Sequence, residues 1–118
     1  MRTVAGDFNG NAIWDAAHPK ATHTMAVDLL ADCGLASAYH RFCGEKHGHE
    51  SRERATHYHT WNKERPFHID YCFVPRRWVN GLHEVSVGSY DDLAELSDHR
   101  PIVVDIDESL LLRADQSR

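Results

Sequence analysis

The chain has 118 residues, 13 Lys and Arg against 18 Asp and Glu, a formal net charge of −5 and 42% hydrophobic residues. That is enough apolar material for one globular core and too little length for two, so a single domain over 1–118 is expected, with 106–118 as a tail or short helix. An acidic chain lacks the broad basic face that coats DNA non-specifically, and no apolar run approaches membrane-spanning length. The start, Met1-Arg2-Thr3-Val4-Ala5-Gly6, does not read as a signal peptide. Cys33, Cys43 and Cys72 sit at unpatterned spacings, which argues against a disulfide scaffold and for the cytoplasm.

In chain order, Arg2 to Asp7 reads as a short strand closed by the turn Asn9-Gly10-Asn11. Asp7 and Asn9, two apart on extended backbone, point the same way; an Asx turn uses the same letters for structure alone. Thr22 or Thr24 can cap a helix carrying Met25, Leu29, Leu30 and Cys33 at helical spacing, and Gly34 can end it. Leu35 to Tyr39 is expected to return to the sheet.

From Arg41 to Arg77 eight basic residues outweigh five acidic ones. Arg52, Arg54, Lys63, Arg65, Arg76 and Arg77 suit either local phosphate contacts or an ordinary solvated surface. Arg41 to Arg54 has no period and reads as a long surface loop. It contains His47-Gly48-His49, and His57-Tyr58-His59 follows. Without carboxylates or thiolates at ligand spacing, these pairs read as loop histidines and not as zinc ligands. Trp14, Trp61 and Trp78 suit packing or base stacking.

Ala55 to Trp61 is strand-like, and Phe67 to Pro75 is a strong strand. In it Ile69, Tyr71 and Phe73 face one way, and His68, Asp70, Cys72 and Val74 the other. A carboxylate inside an apolar strand is costly unless paired. Asp70 therefore needs a partner from elsewhere, and His99 is the candidate. Val85 to Val87 reads as a strand and Asp91 to Leu96 as a helical turn. Pro101 suits the first position of a strand, Ile102 to Ile106, and holds Asp98 and His99 in the loop before it. Asp107 can cap a short helix through Leu110, Leu111 and Leu112.

Three motifs now stand in one order: Gly6-Asp7-Phe8-Asn9, His68-Ile69-Asp70-Tyr71 and Ser97-Asp98-His99-Arg100-Pro101. Together they resemble the endonuclease/exonuclease/phosphatase superfamily, the DNase I-like metal-dependent phosphoesterases. The resemblance implies an α/β fold: the C-terminal half of a four-layer sandwich, one mixed sheet with helices on one face. It implies that Asp7 orients or deprotonates an attacking water, with Asn9 as its partner. Asp98 then serves at a Mg²⁺ or Mn²⁺ site, while His99 contacts the scissile phosphate and Asp70 orients His99. Asn11 and Arg76 are the candidate substrate contacts. The implied activity is phosphodiester hydrolysis, with nucleic acid the leading substrate and inositol or other phosphoesters as alternatives.

The family's first half, which carries an asparagine and a glutamate metal ligand, has no counterpart here. An inactive fragment that dimerises or binds a partner is therefore the alternative reading. The strands 67–74 and 102–106 read as apolar on both faces. The helix would cover one face, and a second copy across a two-fold axis, or the complementary N-terminal half, would cover the other.

Overall fold

A computed structural model describes residues 2–48, 53–92 and 94–110. Its organising element is β5 (Asp70–Pro75), an extended run with alternate side chains committed to opposite faces. Strands β1 (Val4–Asp7) and β2 (Leu35–Ser37) flank it, both antiparallel, in the order β1-β5-β2. The register sets Asp7 opposite Asp70 and Ser37 opposite Phe73. Two further antiparallel pairs complete the strands. One is β3 (His57–Tyr58) with β4 (Pro66–Phe67), and the other is β6 (Leu82–Val87) with β7 (Ile102–Ile106).

The two faces of β5 build two cores. Tyr71 and Phe73 bury themselves with Leu35, and Val27 and Leu30 of helix α1 (His23–Asp32) pack over them. On the other face Val74 joins Ala38 and Tyr39 of helix α2 (Ala38–Cys43), together with Trp78, Val85 and Val87. The β6–β7 pair adds Ile102, Val104 and Ile106 there. Phe73 is fully buried, and burying such a side chain is worth about 1.5–3 kcal/mol.

This architecture is mixed α/β, and it corrects the expected layering. Among the described residues the ladders are all antiparallel, in three separate pieces, so there is no single mixed sheet. The helices lie on opposite faces of β5, not on one. The face expected to await another chain is covered by α2 and the β6–β7 pair. On β7 only alternate residues turn inward; Val103 is exposed.

Several local readings change for identifiable reasons. Helix α1 begins where Thr22 accepts the Met25 amide at 3.0 Å, and it runs into Gly34 at φ +81°. Its Met25 and Leu29 face solvent, however, while Val27 and Leu30 are the core contacts. After β2 the Ser37 hydroxyl caps α2, which Gly44 ends in the left-handed region. Thus Ala38 to Cys43 is helix where strand and loop were expected. The predicted strand 67–75 is split, because at Ile69 and Asp70 the Thr56 hydroxyl, and not a neighbouring strand, accepts the amide hydrogens. Residues 55–61 give only the two-residue β3 and a 3-10 turn at His59–Trp61. Residues 90–96 form turns and not a helix among those described. Asp107 accepts the Ser109 amide at 3.0 Å, the start of the expected cap. Leu111 and Leu112, like His49 and Arg52, lie outside the described residues.

Candidate active site

The site sits where the ends of β1 and β5 meet the loop before β7. β1 delivers Asp7, whose Oδ1 accepts the Asn9 amide at 2.7 Å. Asn9 itself adopts φ +49°, a left-handed conformation that asparagine tolerates better than most residues. β5 delivers Asp70 opposite Asp7.

The third strand of the site is irregular. Residues 56–58 run beside 98–100: the Tyr58 amide donates to the Asp98 carbonyl at 2.8 Å, and the Arg100 amide to the Thr56 carbonyl at 2.7 Å. His57 and His99 lie opposite each other in this bridge. The Ser97 hydroxyl accepts the His99 amide at 3.0 Å and closes the turn.

These constraints aim His99 at Asp70, and Nδ1 meets Asp70 Oδ2 at 2.9 Å. A carboxylate only accepts, so Nδ1 carries the hydrogen and Nε2 faces outward. Around Nε2 stand Asp7 Oδ2 at 3.8 Å and Asp98 Oδ1 at 4.0 Å. Asp7 and Asp70 gather with His99 in one cluster of possible ligand atoms within 4.8 Å of one another, and Asp98 and His57 gather with His99 in another. The His57 ring packs on that of His99 with centroids 4.5 Å apart, and its Nδ1 lies 3.7 Å from Asp98 Oδ2. Burial, and then the neighbouring His99, push the His57 pKa below the usual imidazole range. His57 thus favours the neutral form. Asp7 is half exposed and His99 one-third exposed, so the site opens to solvent.

Beneath the loop, Arg100 is 3% exposed. Its guanidinium donates to the carbonyls of Ser89, Tyr90, Ser97 and His99. It also lies over the rings of Tyr58 and Tyr90. A buried cation satisfied by so many fixed carbonyls locks the loop that carries Asp98 and His99.

Asp7, Asn9, Asp70, Asp98 and His99 therefore converge. The two candidate substrate contacts do not join them. Asn11 is buried: its Oδ1 accepts the Ile13 amide, and its Nδ2 donates to Glu53 and to the His68 carbonyl. Both ends of its amide are used in structure. Arg76 follows the opposite end of β5, about 20 Å of strand away from Asp70. Its guanidinium donates to the Ala31 carbonyl and lines a separate cleft of about 690 Å³. Trp78 is core and Trp14 packs on Phe67, while Trp61 is half exposed.

Thr56 belongs to the site and was not singled out in the sequence, while Arg100 stood inside the Ser97-to-Pro101 motif without a role and His57 was read only as a loop histidine. For Thr56 the only sequence signal was that a buried Asp70 and a fixed His99 require supports. No family model, curated protein or solved structure matches the chain.

Proposed function

We propose that this chain hydrolyses phosphodiesters with the help of a divalent metal, nucleic acid being the leading substrate class. The observation that carries the reading is the Asp70–His99 pair at 2.9 Å, with the outward nitrogen of His99 between two further aspartates. In this reading the His99 Nε2 edge binds a phosphate oxygen, held in tautomer and direction by Asp70. Asp7, half exposed and 3.8 Å from that nitrogen, orients or deprotonates the attacking water. Asn9 holds Asp7 through its backbone amide.

The donor chemistry fits Mg²⁺ or Mn²⁺. Asp7 and Asp98 offer carboxylate oxygens on the solvent side, and such hard ions bind through one or two carboxylates while keeping waters and substrate oxygens. Bound there, the ion would neutralise charge on the phosphate. Asp70 is committed to His99.

Asp7, Asp70 and Asp98 are the carboxylates near His99 among the described residues, so the glutamate ligand expected from the resemblance has no counterpart at this site. A second reading follows: an inactive chain that acts through a second copy or a complementary N-terminal half. The exposed Met25, Leu29 and Val103 favour it. The deciding experiment is Mg²⁺- or Mn²⁺-dependent nicking of plasmid DNA by the purified chain beside His99→Ala. Cleavage by the wild type alone supports the hydrolase. Equal inactivity of both supports the second reading, and equal cleavage by both removes His99 from any role.

A further inference from the structure

A second cluster of ionisable groups shares no residue with the site around His99. His40 on α2, Glu53 and His68 bring three ligand atoms to within 4.8 Å of one another, and the two histidines are buried. No element contributes two of them. Each comes from a separate stretch of chain, so the tertiary fold and not a local motif assembles the group.

The second atoms of all three side chains are fixed. His68 Nδ1 meets the Arg54 carbonyl at 2.7 Å; a carbonyl only accepts, so Nδ1 carries the hydrogen. His68 Nε2 is then a bare lone pair, and it is buried without a hydrogen-bond partner although the residue is 3% exposed. An orphaned buried acceptor is uncommon and calls for an explanation such as an ion. His40 Nδ1 lies 2.7 Å from the Ser37 hydroxyl, and its Nε2 lies 2.5 Å from Glu53 Oε2. The other oxygen of Glu53 accepts from Asn11 at 3.0 Å. Ligands whose outer atoms are held by a carbonyl, a hydroxyl and an amide have the supporting shell of a metal site. The His47 ring also stacks on His40 at 3.7 Å, with its Nδ1 buried and unpartnered.

We propose that His40, Glu53 and His68 form a binding site for a Zn²⁺-class divalent ion. Two imidazoles and one carboxylate are a zinc donor set, which leaves a fourth position for water or a further ligand. Two ligands on a tetrahedral ion stand about 3.3 Å apart. Binding therefore opens the short His40–Glu53 contact, and the proton shared there leaves to solvent. A cavity of about 390 Å³, lined by Glu53, His68, Asn11 and Phe67, provides the way in. Because the ion would join α2, Glu53 and the residues just before β5, its role is to tie those three places of the fold together. This site is independent of the hydrolase reading, for it shares no residue with it.

The test is zinc retention by the purified chain after loading with Zn²⁺ and desalting, together with the visible spectrum of the Co²⁺-loaded protein. About one equivalent should remain in the wild type and in His99→Ala. It should fall in Glu53→Gln and His68→Gln, with affinity weakened on the order of 100-fold or more, since even outer-shell losses cost about 10–100-fold. Far-UV circular dichroism checks that these variants are folded. Retention by folded Glu53→Gln and His68→Gln would overturn the site, as would a wild type that keeps no zinc. Even if both variants fail to fold, a wild-type Co²⁺ spectrum of six-coordinate, water-like character overturns it.

Discussion

The hydroxyl of Thr56 accepts the backbone amide of Asp70 at 3.1 Å, and that of Ile69 at 3.0 Å. The same residue's carbonyl accepts the amide of Arg100 at 2.7 Å. One fully buried side chain thus positions the start of β5 against the loop that carries His99. Thr56→Val keeps the shape but removes the acceptor from two amides. It should destabilise the chain by about 2–4 kcal/mol, the cost of leaving buried donors unpaired. Urea unfolding would measure the loss, and Thr56→Ser should restore most of it.

Arg100 makes a comparable prediction through charge. Arg100→Lys keeps the cation but loses the planar fork that reaches several carbonyls at once. We expect destabilisation of about 2 kcal/mol or more, since each lost bond to a charged group costs about 1.5–3 kcal/mol. A lysine variant as stable as wild type, by the same unfolding assay, would contradict this role.

In the hydrolase reading proposed above, Asp70 acts only through His99, so its effect on turnover should separate from stability. In Asp70→Asn the amide can donate to Nδ1, and the hydrogen of the imidazole shifts to Nε2. If the chain hydrolyses phosphodiesters, turnover should fall on the order of 10²–10⁴-fold. The unfolding midpoint should move far less. A single-turnover assay beside a urea titration reads both.

Acid should weaken the metal-free fold through its buried histidines. Burial, then the neighbouring His40 and His23, lowers the His47 pKa to about 3, against an upward pull from Glu53. Burial likewise lowers His23, His57 and His68. Below the ordinary imidazole value of 6.5 the unfolded chain takes up protons that the folded chain refuses. Stability is therefore complete above 6.5 and falls as the pH drops toward the folded values, by up to about 1.4 kcal/mol per pH unit for each such histidine. Burial works to raise Glu53, but hydrogen bonds from His40 and Asn11 prevail and hold it below 4.5, so it adds the same sign further down. Urea midpoints between about pH 7 and about pH 4 in a chelator should show the slope, shallower in His47→Phe.

What the sequence disclosed follows from how local each signal was. Helix α1 was legible because Thr22 and Gly34 bracket it, and β5 because its alternation is long enough to count. The partner of Asp70 was legible by exclusion, since a carboxylate at that place needs one. Helix α2 was not, because six residues between Ser37 and Gly44 are too few to display a helical period. The inward role of His47 was hidden for a different reason: its neighbours His40, His23 and Phe73 come from other elements, and a polar stretch gives no hint that one ring turns inside. Asn11 misled because a turn asparagine and a buried, fully bonded one look alike in sequence.

The Asp70–His99 bond spans 29 residues of chain, and Asp7 is brought to it from still further away. Contacts of such separation form late, because loop closure must be completed before they contribute. Asp7, Asp70 and His99 therefore come together late, after local elements such as α1 have formed. If the chain is the hydrolase proposed above, catalytic competence, and with it any hazard of indiscriminate cutting, would arrive only late in folding.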